Sequence, residues 1–446
     1  MIDLVVSLLA EVEELKRRLG QDSSNSSRPP SSDPPQTPKR SGRKGSGRKP
    51  GGQPGHEGHR RRMVSKPDAT VEHPPESCGG CGGDLAGGEP VGEPVSHQVW
   101  ELPAVVCLVT EHRRLRRRCG GCGKVTLAEV PPGVPAGAFG PNLCATVIGL
   151  CAHMSREQVA LFVSDNFGCA MSAATVEAIC KRASGALAGT YDELADTVRS
   201  EPLVHADETG WLWPSQRRWA WLASTDQIAV YRLTDTRAAR VAKELLGEDF
   251  AGMLISDRYG GYAWLSPAQR QACWAHLLRD FQALADRGGR VARLGRALKK
   301  TAGEILERHG EHLAAGRLVA WHEPGLVDLH HRLMDQLEQG SRMRDDKTSR
   351  FCGGLLDLWP ALWNFTETPG LDATNNRAER ALRFAVLLRK RSGGTRTDHG
   401  DRHIERLLTV RETCRLQNRS LHDYLLTAIT AALHGKQAPS LLPAGP

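Results

Sequence analysis

The sequence predicts a multidomain α/β protein, and three observations lead to this prediction. The chain has 446 residues, which is too long for one ordinary core. Its first 130 residues change character from an amphipathic start to a basic, proline-rich segment and then to paired cysteines. From residue 202 onward, short apolar runs alternate with helical sequence, as in an α/β domain. The predicted segments are 1–20, 21–68, 69–130, 135–195, 196–435 and a tail at 436–446.

Residues 1–20 predict a coiled-coil helix. Apolar side chains recur from Met1 to Leu19 at alternating spacings of four and three, which is the pattern of an a/d seam, and Gly20 would end the helix. The seam is short, so two alternatives stay open. The helix either pairs with another copy, which would make the protein a homo-oligomer, or packs as a lone amphipathic helix on its own chain.

Residues 21–68 predict a disordered basic linker, because they are rich in Pro, Gly and Ser and offer hardly any apolar surface. The net charge between Arg28 and Lys66 is +9, whereas the whole chain carries +8. Such a segment suits the phosphates of nucleic acid, with an anionic membrane surface as the second choice and a merely solubilising linker as the alternative. The candidate DNA-binding residues in it are Arg43, Lys44, Arg48 and Lys49.

The chain is expected to be cytoplasmic and not to bind a membrane. No run of about 18 apolar residues is present, and the start lacks the positive region of a secretory signal. Only four of the twelve cysteines occur as CxxC pairs, which fits a reducing compartment and one metal site.

The paired cysteines Cys78, Cys81, Cys119 and Cys122 predict a structural zinc site. Glycines within and after each pair let backbone amides turn toward the sulfur atoms, and four thiolates would close a tetrahedral Zn²⁺ site. The 37 residues between the pairs suit a β-ribbon, with strand-like sequence at 99–110. The alternative is four thiols without a ligand.

The segment 135–195 predicts a helical region with a DNA-binding character. Helices are expected at 143–152, 157–166 and 173–187, and Ser172 is a good N-cap for the third. The short, glycine-containing connection before Ser172 is typical of a helix-turn-helix, although many small helical domains share it.

Three carboxylates are the candidate catalytic residues. Asp207 follows an apolar strand at 203–206, which opens a meander with strands at 219–223 and 228–233, and Asp257 follows a buried strand at 252–256. In a ribonuclease-H-like sheet these two strands are neighbours, and Glu379 on a later helix would complete the set. Three carboxylates would hold catalytic Mg²⁺ or Mn²⁺, which prefer oxygen ligands. Ordinary structural acids are the alternative.

Four motifs occur in order at residues 206–211 (ADETGW), 256–262 (SDRYGGY), 273–276 (CWAH) and 375–383 (NNRAERALR). Together with the N-terminal helix, the linker and the double CxxC, they resemble the insertion-sequence-66 family of bacterial DDE transposases. The resemblance implies a ribonuclease-H-like catalytic domain with a helical insertion at about 275–365, and Asp207, Asp257 and Glu379 as its DDE triad. It also implies double-stranded DNA as partner, at transposon ends and target, and two small accessory proteins.

Several side chains near these motifs have a predicted role. Arg377, Arg380 and Arg383 lie at helical spacing around Glu379 and suit phosphate contact, with a solvated basic face as the alternative. Arg258 stands where family members often carry glycine, so it would crowd the metal or reach a phosphate. Cys273 and His276 resemble half a zinc site, but a packed structural pair is the preferred interpretation.

The expected function is therefore metal-dependent cleavage at insertion-sequence ends, followed by strand transfer of the 3′-hydroxyl ends into target DNA. Two alternatives stay open: an inactive protein that binds the ends without cutting, and a general ribonuclease-H-like nuclease.

Overall fold

A computed structural model describes residues 61–314 and 323–443, together with Val12. The predicted coiled-coil helix and most of the basic linker, including Arg43, Lys44, Arg48 and Lys49, lie outside the described residues. The described part of the chain forms two compact units, one ending at Val106 and the other beginning at Cys107.

The first unit has little regular structure among its described residues. Its local order centres on a turn at Cys78, where Ser77 forms an isolated antiparallel bridge with Asp84. The strand expected at 99–110, across the boundary between the units, is wrong, because no strand forms between residues 85 and 115. Val99, Leu108 and Val109 are 78 to 94% exposed, so within the described part of the chain no surface covers them and stabilises a strand.

The second unit begins with a small antiparallel sheet. Strands β1 (Arg116–Arg118) and β2 (Val125–Leu127) pair with Arg117 opposite Thr126, and they flank the second cysteine pair. The β-ribbon therefore surrounds one cysteine pair and does not connect the two.

Four helices follow, and local sequence explains their ends. Ser155 forms a capping box with Gln158, Gly168 ends a helix in the left-handed conformation with φ of 64°, and the Ser172 side chain accepts the Thr175 amide. The three predicted helices are confirmed to within about two residues, and a fourth was missed. The helices are α1 (Pro141–Cys151), α2 (Arg156–Phe167), α3 (Ala173–Ala186) and α4 (Ala188–Ser200).

A five-stranded mixed sheet forms the centre of this unit, which confirms the predicted α/β class. The three-strand meander and the later buried strand are where the sequence predicts them, but the short last strand was missed. The strands are β3 (Leu203–Leu212), β4 (Arg217–Ser224), β5 (Ala229–Thr234), β6 (Met253–Ser256) and β7 (Arg270–Ala272). Their order is β5-β4-β3-β6-β7, with β3, β4 and β5 antiparallel and β6 and β7 parallel to β3.

Helices cover both faces of the sheet. One connects β5 to β6, five form the insertion after β7, and three close the fold. They are α5 (Ala239–Leu246), α6 (Trp274–Ala285), α7 (Gly289–Ala314), α8 (Pro324–Ser341), α9 (Asp346–Asp357), α10 (Trp359–Trp363), α11 (Asn376–Ser392), α12 (Asp398–Leu416) and α13 (Leu421–Leu433). The predicted insertion at about 275–365 is thus helical.

Three hydrophobic clusters hold these layers together. The largest joins α1–α4 to one face of the sheet and to α13, and it includes Val204, Trp221 and Leu441. A second cluster packs the insertion helices around Trp274. The third packs α11 against the opposite sheet face, where Tyr231 is buried. In the described residues, no helix is both long and apolar enough to cross a membrane.

Candidate active site and paired-cysteine turns

The sheet brings Asp207 and Asp257 to one edge. Strands β3 and β6 are parallel neighbours with His205 opposite Ile255, so each aspartate lies two positions beyond this pair. Asp207 Oδ1 accepts the Glu208 amide at 2.9 Å, and Asp257 Oδ1 accepts the Tyr259 amide at 2.8 Å. These bonds fix the position of both carboxylates.

Asn375 ties the start of helix α11 to the same edge. Its side-chain amide donates to Ala206 O at 2.8 Å, and its Oδ1 lies 3.1 Å from His205 Nδ1. Its backbone amide donates to Cys273 Sγ at 3.1 Å. The side chain is completely buried, so this fully bonded asparagine sets where α11 and its first-turn residue Glu379 stand relative to β3. These contacts of Asn375 could not be predicted from the sequence, where it is only one residue of the motif at 375–383.

Glu379 makes its closest contacts with helix α6. Its Oε1 lies 2.7 Å from Arg279 Nη2 and 3.4 Å from His276 Nδ1. Ligand atoms of Cys273, His276 and Glu379 all lie within 4.8 Å of one another. Asp207, Asp257 and Glu379, all in the described part of the chain, do not form such a close group.

The electrostatics of this edge favour a cation. Burial raises the pKa of Asp207 well above its usual range, and the nearby carboxylates of Glu208, Asp257 and Glu379 raise it further. A divalent ion would relieve the repulsion that these carboxylates exert on Asp207. Carboxylate oxygens are also the donors that Mg²⁺ and Mn²⁺ prefer, so Asp207, Asp257 and Glu379 fit such an ion chemically.

Glu208 points to the opposite face of β3, as alternation along a strand requires. Its carboxylate is fully buried and accepts the Tyr262 hydroxyl at 2.7 Å and the Arg237 Nε at 2.9 Å. These bonds link β3 to the segments that follow β5 and β6. Glu208 is therefore a structural acid beside a candidate catalytic one.

Arg258 is directed into the helical insertion. Its guanidinium pairs with Asp280 at 2.8 Å and stacks over the Phe351 ring at 4.7 Å. This side chain therefore anchors the end of β6 to α6 and α9. It is not directed at a metal or at a phosphate, as the sequence had suggested.

The cations predicted around Glu379 have different surroundings. Arg377 pairs with Asp226 at 2.7 Å, so it holds α11 to the β4–β5 turn. Arg380 and Arg383 lie exposed on the outer face of α11. Of these three arginines, only Arg380 and Arg383 are therefore available to contact a DNA phosphate.

Each predicted zinc-binding pair forms the same turn within its own unit. The Cys78 amide donates to Gly83 O and the Gly82 amide to Cys78 O, and Cys119 has the equivalent bonds with Lys124 and Gly123. The amides of Cys81 and Gly80 lower the pKa of the Cys78 thiol, and those of Cys122 and Gly121 lower that of Cys119. Amides turned toward sulfur in this way stabilise the thiolate that zinc requires.

Comparison with known families gives three matches along the chain. Residues 137–403 match the transposase IS66 family, and residues 75–123, which contain all four paired cysteines, match the zinc-finger binding domain of transposase IS66. Residues 4–62 match a family of unknown function. Along the chain, a zinc-finger domain is therefore followed by a transposase domain with a mixed α/β fold.

Similar proteins occur in Sinorhizobium fredii. The "Uncharacterized protein y4hP" is 27% identical over 409 residues, which is 80% of this chain and 72% of the relative. The "Uncharacterized protein y4jD" is 22% identical over 423 residues, 84% of this chain and 79% of the relative. The first family match spans more than half of the chain and confirms the resemblance drawn from its four motifs. The chain belongs to the IS66 family of transposases and is a zinc-finger protein that acts on DNA.

Proposed function

We propose that this protein is a DDE transposase that uses Asp207, Asp257 and Glu379 to cut DNA at insertion-sequence ends and to transfer the 3′-hydroxyl ends into target DNA. The observation that carries the proposal is the position of the two aspartates at the same end of parallel neighbours β3 and β6. The Asn375 contacts, which start α11 and its Glu379 beside this edge, give further support.

The strand order supports a ribonuclease-H-like catalytic domain. An antiparallel meander is followed by two strands parallel to the first, giving the order β5-β4-β3-β6-β7, with a helix between β5 and β6. This topology makes the first and fourth strands of the sheet neighbours, which is the arrangement predicted from the sequence for the two aspartates.

Each residue of the edge has a part in the proposed reaction. Asp207, Asp257 and Glu379 would hold divalent metal ions, which supply activation of a water or 3′-hydroxyl and stabilisation of the leaving oxygen. Asn375 positions Glu379, and Glu208 with Arg237 and Tyr262 keeps the ends of β3 and β6 in place. Arg380 and Arg383 would contact the phosphates of the bound strand.

Cleavage of a DNA substrate that carries an insertion-sequence end tests this proposal. The wild-type protein should cut it in the presence of Mg²⁺, whereas Asp257→Asn should bind the same DNA but cut it slower by orders of magnitude. Asp249→Asn is a matched control, because Asp249 is an exposed acid in the loop before β6. Binding without any cleavage by the wild type would instead identify an inactive end-binding protein.

A further inference from the structure

Cys273, His276 and Glu379 have the spacing of a metal site that differs in chemistry from the three-carboxylate set. Their ligand atoms lie within 4.8 Å of one another, and ligand atoms in a tetrahedral zinc site are about 3.5 Å apart. Cys273 is the residue before α6, and His276 is in its first turn, so a C-x-x-H spacing brings both to one helix end.

The sulfur of Cys273 accepts the Asn375 amide at 3.1 Å. Burial raises the pKa of the Cys273 thiol to about 11, against the effect of the amides of Asn375, His276 and Ala275, which favour the thiolate as the amides of the third and second following residues do at Cys78 and Cys119. Zinc would therefore have to displace the proton of this completely buried thiol.

His276 supplies a second observation. Its Nδ1 is buried and makes no hydrogen bond within the described residues, although it lies 3.4 Å from Glu379 Oε1. A buried nitrogen without a hydrogen-bond partner is costly unless something else engages its lone pair. The side chains of His276 and Glu379 are 27% and 35% exposed, so an ion can reach them from solvent.

We propose that Cys273, His276 and Glu379 bind Zn²⁺, and that this site and the catalytic site compete for Glu379. Sulfur and imidazole select zinc, whereas Asp207 and Asp257 select Mg²⁺ or Mn²⁺. Zinc binding displaces Arg279 from Glu379, which is feasible because the Arg279 side chain is 27% exposed. Glu379 cannot serve both sites, so zinc inhibits cleavage; this consequence rests on the proposed function.

Zinc stoichiometry tests the site without any measurement of activity. Full-length protein is equilibrated with buffered free Zn²⁺ and its metal content is determined. Cys273→Ser keeps an acceptor for the Asn375 amide but removes the sulfur ligand, so it should bind one zinc fewer than the wild type. Cys352→Ser is the control, because Cys352 is an equally buried thiol in the insertion and should leave the count unchanged.

Two outcomes would overturn the site: a wild type that binds only the zinc lost in Cys119→Ser, or a Cys273→Ser variant that binds as much as the wild type. Asp257→Asn must retain the full zinc count, which separates this proposal from the proposed function.

The inhibition of cleavage by zinc is tested separately, by following Mg²⁺-dependent cleavage as the concentration of free Zn²⁺ is raised. Cys273→Ser should require at least about tenfold more zinc than the wild type for half inhibition, since a tenfold loss of affinity is a modest effect for one lost ligand. Equal zinc sensitivity of the two proteins would overturn the proposed competition for Glu379.

Discussion

Asp207 destabilises the folded protein when it is ionised and unneutralised. Burial and the carboxylates of Glu208, Asp257 and Glu379 raise its pKa, so the folded chain binds this proton more tightly than the unfolded chain does. The stability linked to this group is therefore fully present below the unfolded pKa of about 3.9 and is lost as the pH rises through the higher folded pKa. A residue kept in such a position is a candidate for function rather than for stability.

Asp207→Asn should consequently separate stability from activity. Without Mg²⁺, the melting temperature of the zinc-loaded variant should equal or exceed that of the wild type, and it should depend less on pH above about 4. Cleavage should nonetheless fall by orders of magnitude, because a metal ligand is lost. Thermal unfolding at several pH values checks the first part; a clear loss of stability at neutral pH would contradict it.

Glu208 supports the fold through its hydrogen bonds, although burial and the Asp257 carboxylate raise its pKa too. Glu208→Gln keeps an acceptor for the Tyr262 hydroxyl but weakens the bonds from Arg237, whose side chain is 35% exposed and can turn to water, so the loss of stability should be about 1–3 kcal/mol. Tyr262→Phe removes one hydrogen bond to the same carboxylate and should cost about 1 kcal/mol. Chemical denaturation of both variants measures these changes. A Glu208→Gln variant as stable as the wild type would show that this network does not support the sheet.

For individual residues, the sequence identified candidate catalytic side chains but not the residues that they contact. Asp207 and Asp257 could be predicted because each follows an apolar strand. The burial of Glu208 was not predicted, because a charged residue next to an inward-facing one in a strand is expected to face solvent. Helices cover both faces of this sheet, so β3 buries both sets of its side chains. The contacts of Asn375 with Ala206 and of Arg258 with Asp280 join distant parts of the chain, so no local pattern could indicate them.

Among the elements, α11 depends on Asn375 for its position against β3. Asn375→Ala leaves the Ala206 carbonyl and the His205 ring without their partner in a buried place, at a cost of about 1–3 kcal/mol. Because Glu379 would then be held less firmly, we expect cleavage to need a higher Mg²⁺ concentration. Titration of cleavage with Mg²⁺ checks this. Asn376→Ala, at the exposed neighbouring position, is the control and should leave the Mg²⁺ requirement unchanged.

The turn at Cys119 is predicted to hold its small sheet together only when zinc is bound. Cys119→Ser should release one zinc per chain and unfold the small sheet of β1 and β2, because β1 leads into this turn and β2 follows it. Metal analysis measures the loss of zinc, and limited proteolysis of the segment that follows residue 110 measures the unfolding of the small sheet. Freshly purified, reduced wild-type protein without any zinc would contradict the finger assignment.

Elements that begin at local signals were predicted well, and elements that depend on a neighbouring strand were predicted poorly. The helices between residues 141 and 186 carry caps such as Ser155 and Ser172, so their starts are encoded locally. Strand β7 has only three residues, Arg270–Ala272, and forms because β6 offers a parallel edge. The expected strand at 99–110 did not form, since no neighbouring strand within the described residues buries its valines.

For the whole molecule, the basic segment between Arg28 and Lys66 carries a net charge of +9, more than the +8 of the entire chain. Deletion of residues 28–66 should weaken binding to all DNA sequences alike and flatten the dependence of affinity on salt, since fewer counterions are released. Binding to end and unrelated DNA at several salt concentrations measures this. Loss of end binding alone would indicate that the segment reads bases.

The organisation of the whole chain was predicted largely from motifs that are far apart in sequence. The four motifs between residues 206 and 383 indicated the family, which the match over residues 137–403 confirms. The motifs could not reveal that α1–α4 share one hydrophobic core with the sheet and with α13, because such packing arises from side chains that many sequences could supply.

The proposed cleavage requires Asp257 to be a metal ligand, and a change of metal specificity tests this role. Asp257→Cys replaces a hard oxygen by sulfur, which accepts Mn²⁺ far better than Mg²⁺. The variant should bind end DNA as the wild type does, fail to cut it with Mg²⁺, and regain at least about a tenth of wild-type cleavage with Mn²⁺. Near-normal cleavage by Asp257→Cys with Mg²⁺ would show that Asp257 does not ligate the catalytic metal.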